Sequence, residues 1–399
     1  MSFFLKSPVD FEKHNDEVVR VWDAFHSRRP YRVPVVVYGS ITNFVFNSEL
    51  NTRGYSFKDF FENPQTQIEA QLAYQEWIRF NLIGDREMGL PKDGWQVTID
   101  FQNSLEAAWI GCPLIYPEDA IPDTSPILLE NRDRLYDLQD PDPIHGNFMG
   151  RVVEFYEYMH EHCPEMEYRG RPVIPPKSII GDSTDGPFNM ACSMRGVTEC
   201  CIDIYESPEY FHALMDYVTR NIVARIKAIR QWQMEMGIGG NWDADMKSQE
   251  LSFADDTCAM LSVPLYREFV LPYHQRMLDE LTQGGPNSIH LCGNAQHLFP
   301  TLQSELNIQS FDTGYPIDFG RFREELGPEA TIYGGPTVML LRYGSPDEIA
   351  LEVQRICSSG IMDGGRMIMR EANNLAPQTP IENILAMYEA GKVYGKYNY

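Results

Sequence analysis

The run NSIHLCGNAQHLFPTLQSELNIQSFDTGYP (Asn287–Pro316) reads as strand, helix, strand. NSIHLCGN is a short apolar-rich segment ending in glycine, and IQSFDTGYP is a second one. The segment between them carries apolar residues at helical spacing. A strand, a crossing helix and another strand with so little connecting chain form the unit of a parallel sheet.

The same grammar extends both ways. KSIIGDSTDGPF reads as a strand, followed by the long helix SPEYFHALMDYVTRNIVARIKAIRQWQMEMG with Ser207 as its cap. IGGNWDAD is expected to be a strand with a polar end, and VPLYREFVLPYHQRMLDELTQGG a helix kinked at Pro272. Downstream, TIYGGPT and RMIMREANN read as strands. SPDEIALEVQRICSSG and TPIENILAMYEAGKVYG read as helices, the last with Thr379 as N-cap and Glu382 in the capping-box position. Upstream, VPVVVYGS is a buried strand. NPQTQIEAQLAYQEWIRFNLIG is a helix capped by Asn63 ahead of Pro64. Residues 113–143, rich in proline and aspartate, are expected to be irregular. The pattern predicts an α/β fold, a (β/α)8 TIM barrel with additional N-terminal helices. It is read as one domain over 1–399, with a mostly helical lead-in over 1–90 and the main part of the barrel over 91–399. No G-x-G-x-x-G or P-loop run follows a strand.

Composition narrows the function. The 399 residues carry 57 acidic and 33 basic side chains, a formal net charge of -24. Such a surface repels phosphate backbones and anionic lipid, so neither nucleic acid nor a membrane is an expected partner. No apolar run reaches spanning length and the first residues lack a signal-peptide core, so a cytoplasmic location is expected. Eight scattered cysteines without scaffold spacing fit reduced thiols.

In a parallel barrel the chemistry sits at the C-terminal ends of the strands. The residues there are Asp182 and Asp185; Asn241, Trp242, Asp243 and Asp245; His290 and Cys292; Asp312 and Tyr315; Pro336; and Glu371, Asn373 and Asn374. His290 and Cys292, two apart on a strand, share a face. Imidazole and thiolate are zinc's preferred ligands, but a core histidine beside a small buried thiol gives the same pair of letters. Asp255 and Asp256 open the loop before LSVPLYREF, where one could be a further ligand or a proton donor, and where a plain helix entry would look the same. Asp185, Asn241, Trp242, Tyr315 and Asn373 are candidates to contact a substrate; a turn, or packing at the rim, is the competing reading. Cys258, next to the aspartate pair, is a weaker third-ligand candidate, and HEHC at His160–Cys163 reads as solvated helix surface.

FADDTCAMLSVPLYREFVLPYH, IHLCGN, IYGGPT, GSPDEIALEV and APQTPIENILAMYEAGKVYG, with STDGPFNMACSMRG before them, resemble the uroporphyrinogen decarboxylase superfamily over roughly residues 180–395. The resemblance implies a TIM barrel and makes a homodimer plausible. One branch decarboxylates a tetrapyrrole polycarboxylate without metal, using an arginine-rich opening segment; SRRPYRVP and NTRGYSF match that segment poorly. The other branch comprises zinc- and corrinoid-dependent methyltransferases. In its thiol-methylating members a His-x-Cys pair and a later cysteine hold zinc. His290 and Cys292 match the pair; the later cysteine's register falls near Asn373, where this chain has none, and Glu371 could supply an oxygen ligand instead. The expected activity is therefore methyl transfer between a small donor (methoxy-aromatic, methylamine or methanol class) and a corrinoid on a partner protein, with zinc as Lewis acid. The alternative is a metal-free carboxy-lyase acting on a tetrapyrrole or other carboxylated substrate.

Overall fold

In the computed structural model, which describes residues 9–181 and 183–397, six parallel strands form one sheet in sequence order. They are β1 (Thr184–Asp185), β2 (Ser252–Ala254), β3 (Asn287–Leu291), β4 (Ile308–Thr313), β5 (Thr331–Gly334) and β6 (Met367–Met369). Strand order equal to chain order means each crossover returns beside its own strand, the short right-handed connection that βαβ units favour. The outward positions are apolar and meet the helices. Phe311 on β4 packs on Phe299 and Phe322 at ring-centroid distances of 5.2 and 5.7 Å, from the helices Phe299–Leu306 and Phe319–Leu326. Phe253 on β2 meets His274 of the helix Leu271–Leu281 at 5.0 Å.

The expected closure into eight paired strands is not seen among the described residues. Past β6 the sheet gains one parallel bridge, Val35 to Met369, so VPVVVYGS runs beside β6 without becoming a regular strand. Its outer, buried edge is capped by a side chain: the Val35 amide donates to the Asp85 carboxylate at 2.6 Å, and Arg32 neutralises that carboxylate. At the other end Trp95–Gln96 pairs with Arg171–Ile174 rather than with β1. The backbone beyond it is satisfied by glutamines of the helix Pro64–Asn81. Gln67 pairs with Asp100 through both amide groups, at 2.8 and 3.1 Å. Gln71 does the same with Thr98, at 2.7 and 2.9 Å. Gln75 donates to the Gln96 carbonyl at 2.8 Å. Spaced four apart, these three lie on one helix face, and their amides stand in for a neighbouring strand. The two ends of the sheet nevertheless approach: Tyr38, beside β6, and Asn103, near β1, line the same cavity. The sheet is thus curled around its inner face.

Local signals explain most element boundaries. Asn63 caps its helix by accepting from the amides of Gln65 and Thr66, with Pro64 in the first turn. Pro272 splits the expected single helix into Val263–Phe269 and Leu271–Leu281. Two expectations fail. IGGNWDAD forms no strand: Gly237 and Gly239 take φ of 69° and 73°, and the Asp243 carboxylate collects the amides of Asp245 and Lys247 in a turn. The strand forms later, at Ser252–Ala254. The last helix, Ile381–Tyr394, starts at Pro380, so Thr379 and Glu382 build no capping box, and the Thr379 hydroxyl donates to the Ala376 carbonyl instead.

Candidate metal centre

Strand register sets the site. Asp185, Ala254, His290, Asp312 and Tyr333 lie side by side at one level of the sheet, on β1 to β5 in order. All five border a cavity of about 650 Å³ at the C-terminal end of the sheet. His290 Nε2 lies 2.9 Å from Cys292 Sγ and 3.9 Å from Asp256 Oδ1. Asp256, just past β2, is held in place because its Oδ1 accepts the Cys292 amide. The nitrogen, sulfur and oxygen atoms of these three residues lie within 4.8 Å of one another.

The imidazole is oriented from behind. His290 Nδ1 is 2.8 Å from Asp312 Oδ2, so the carboxylate holds a proton on Nδ1 and turns Nε2 towards Cys292 and Asp256. Arg370 then fixes Asp312: its Nη1 sits 2.8 and 2.7 Å from the two carboxylate oxygens. The rest of that guanidinium is also committed, to the carbonyls of Glu371 and Asn373, and its face lies 4.3 Å from the Tyr38 ring centroid. Burial disfavours the His290 imidazolium, but Asp312 and Cys292 outweigh it and hold the group up at about 10. Burial pushes the Cys292 thiol up, against the pull of His290. A divalent cation would replace those protons, since zinc binds the thiolate and the neutral imidazole nitrogen. The donor set fits such an ion in its chemistry, spacing and imidazole orientation.

The other sequence candidates separate. Asp185 borders the cavity, and burial together with the neighbouring Asp255 and Asp256 charges raises its carboxyl to about 7. Asn373 lines the same cavity, its side chain set by a left-handed φ of 82°. Asp255 lines neither this cavity nor the adjoining one. It is wholly buried, accepts the amides of Phe188 and Asn189 at 3.0 and 2.8 Å, and pairs with His274 at 2.7 Å. It therefore caps the helix Pro187–Arg195 and anchors a buried Asp255–His274–Tyr266 chain, beside which Cys258 is packed. Glu371 lies outside the three-residue cluster. Its Oε1 accepts the Tyr38 amide at 2.7 Å, and burial raises its carboxyl to about 8. Asn241 and Trp242 border a different cavity, ahead of β2 at the opposite end of the sheet, because the strand that was expected to carry them is a loop. Tyr315 is 61% exposed on the turn after β4 and borders neither cavity at the cluster. Asp182 lies outside the described residues. Sequence reading placed Asp312 at a strand end without a role, and it missed Arg370, Tyr38 and Tyr333. The available signal was that a ligating histidine needs a carboxylate on its other nitrogen.

The sequence pattern described as Uroporphyrinogen decarboxylase (URO-D) matches residues 16–394. The chain belongs to this family. Among its relatives is the methylated-thiol–coenzyme M methyltransferase of Methanosarcina mazei, 28% identical over 297 residues, which are 73% of this chain and 71% of that one. The uroporphyrinogen decarboxylase of Geobacter metallireducens is 27% identical over 212 residues, covering 51% of this chain and 56% of the relative. With that decarboxylase, then, the chain aligns over little more than half of the relative's length. A solved structure, described as a methyltransferase from Methanosarcina mazei, superposes with a TM-score of 0.61 over 94% of this chain and 98% of its own, at 16% identity. That match supports the shared fold. No helix among the described residues is long and apolar enough to cross a membrane.

Proposed function

We propose that this chain is a methyltransferase that moves a methyl group between a small methyl donor and a corrinoid carried by a partner protein, with zinc held by His290, Cys292 and Asp256. The observation that carries this reading is the convergence of an imidazole nitrogen, a thiol sulfur and a carboxylate oxygen within 4.8 Å at adjacent strand ends, the imidazole oriented from behind by Asp312. The likeness to the methylated-thiol methyltransferase supports it. We assign the third ligand to Asp256 rather than Glu371, which lies outside the cluster. Asp255, buried in the interior, keeps a structural role.

Zinc bound there supplies a Lewis acid that stabilises the anion left when a methyl group departs. The chain's own residues do the rest. Asp312 and Arg370 hold the imidazole so that one nitrogen faces the ion. Asp185, at the same level of the sheet, has its carboxyl raised to about 7 by burial, which brings its proton exchange near neutral pH and suits it to deliver a proton to the leaving heteroatom. The cavity walls shield the reacting atoms from bulk water, and the open mouth admits the corrinoid protein. We also read the six-stranded ladder and its two flanking segments as a single (β/α)8 barrel domain, cytoplasmic and homodimeric.

The cavity argues against a metal-free tetrapyrrole decarboxylase. Its one arginine, Arg370, is committed to Asp312, and Asp256 and Asp312 face the same space, so a polycarboxylate would meet like charge with no free arginine to receive it. Metal analysis of the purified protein tests the reading. It predicts about one zinc per chain, lost in His290→Ala, and methyl transfer with methylcobalamin or cob(I)alamin that disappears with the zinc. A metal-free protein that decarboxylates a porphyrinogen would overturn it.

A further inference from the structure

One side chain, Asn189 of the helix Pro187–Arg195, joins three segments at the edge of the cluster. Its Nδ2 lies 3.4 Å from Asp185 Oδ1 at the end of β1 and 3.4 Å from the Ala254 carbonyl at the end of β2. Its Oδ1 accepts the Thr257 amide at 3.0 Å and the Thr257 hydroxyl at 2.8 Å. Chemistry fixes which way the amide faces. The Thr257 N–H can only donate and the Ala254 carbonyl can only accept, so the oxygen meets the first and the nitrogen the second. An aspartate of the same shape could serve Thr257 but not the two acceptors, and a leucine could serve neither.

The surrounding elements have anchors of their own. The helix Pro187–Arg195 is capped by Asp255 through the backbone amides of Phe188 and Asn189. The end of β1 is held through the Asp185 amide, which donates to Glu106 Oε2, while Arg225 pairs with Glu106 Oε1. Neither anchor uses the Asn189 side chain. What that side chain does hold is the turn Asp256–Met260, by its second residue. Thr257 directly follows Asp256, whose Oδ1 accepts the Cys292 amide and lies 3.9 Å from His290 Nε2. Asn189 therefore grips the turn next to the residue that completes the metal cluster, and ties it to the strand end that carries Asp185.

We propose that Asn189 is a positioning residue: by gripping Thr257 it keeps the Asp256 carboxylate within reach of the metal. This rests on the metal centre assigned above, and it is tested by metal binding and spectroscopy rather than by turnover. Zinc affinity, by chelator competition, and the absorption spectrum of the cobalt(II)-substituted full chain would be measured for Asn189→Leu, Thr257→Val and the double variant. Asn189→Leu should weaken zinc binding roughly tenfold, the size typical of losing a partner behind a metal ligand. Its cobalt ligand-field bands should shift as Asp256 withdraws, while the charge-transfer band from the Cys292 sulfur remains. Thr257→Val removes only the hydroxyl, and should weaken binding roughly threefold with a smaller shift in the same direction. The double variant should bind no more weakly than Asn189→Leu alone, because the hydroxyl has already lost its acceptor. Zinc affinity within twofold of the parent in Asn189→Leu, an unshifted cobalt spectrum, loss of the sulfur band together with the others, or losses that add in the double variant would overturn the proposal. If Asn189→Leu does not fold, Thr257→Val decides, and an affinity and spectrum equal to the parent's would overturn it. A parent that takes up neither metal would overturn the centre itself, whereas a parent that binds both while its variants match it would overturn the role of Asn189 alone.

Discussion

Asp312→Asn is the sharpest single perturbation of the metal centre. It keeps the shape of the side chain and changes two contacts. His290 Nδ1 loses the carboxylate 2.8 Å away, and Arg370, now 2.8 and 2.7 Å from the two carboxylate oxygens, keeps a single neutral oxygen and loses the negative charge. An asparagine amide can face His290 with its nitrogen, which would place the ring proton on Nε2, where it would block the ion. Removing the outer carboxylate from a ligating histidine weakens metal binding by roughly ten- to a hundredfold, which is about 1.4–2.8 kcal/mol. The upper half of that range is expected here, because Arg370 is 5% exposed and is left without its counter-ion. Zinc affinity would be read by competition with a chromophoric chelator at pH 7.5, with circular dichroism to confirm that both proteins are folded. A dissociation constant within twofold of the parent would refute the claim that Asp312 orients a ligand.

Three further outcomes follow from the same contacts. Gln71→Leu removes both hydrogen bonds to the backbone of Thr98, an exposed residue, and should lower unfolding stability by about 1–2 kcal/mol in urea, without altering zinc content; a loss below about 0.5 kcal/mol would show that the glutamine ladder is dispensable. Asp255→Ala removes a helix cap and leaves His274 without its partner, at a cost of about 3 kcal/mol or more, while the folded fraction still binds one zinc; loss of zinc at parental stability would return Asp255 to the site. Burial raises Glu371 from 4.5 to about 8, so between those pH values the folded chain keeps a proton that the unfolded chain releases, and stability falls as pH rises. Glu371→Gln should flatten that decline by about 1.4 kcal/mol per pH unit, and parallel curves for parent and variant would contradict the assignment.

The elements visible in the sequence were those with local causes. Apolar periodicity and caps located five of the six sheet strands and the helices around them, because each rests on contacts a few residues apart. IGGNWDAD misled because its polar end resembles a strand end, whereas Gly237, Gly239 and the Asp243 turn hold it in a loop at the opposite end of the sheet; Asn241 and Trp242 went with it. The replacement strand, SFA, is too short to show a period. That the described residues pair six strands and not eight is a long-range effect. Gln67, Gln71 and Gln75 were visible as a four-residue repeat, but only folding shows that they meet the backbone of 96–100. At the site, His290 and Cys292 were legible because a strand's alternation puts them on one face. Asp256 was legible only as one of an adjacent pair, and the two members point to different environments: Asp256 to the cavity, Asp255 to the interior. The bond from Arg370 to Asp312 spans β6 to β4 across an intervening strand, and no spacing in the chain encodes it.

Zinc K-edge X-ray absorption on the metal-loaded protein tests the central claim most directly. Coordination by His290, Cys292 and Asp256 predicts one sulfur at about 2.3 Å with the remaining nitrogen and oxygen neighbours at about 2.0–2.2 Å, and the sulfur shell should vanish in Cys292→Ser. A spectrum of nitrogen and oxygen alone from the parent protein, or a sulfur shell that survives Cys292→Ser, would contradict it.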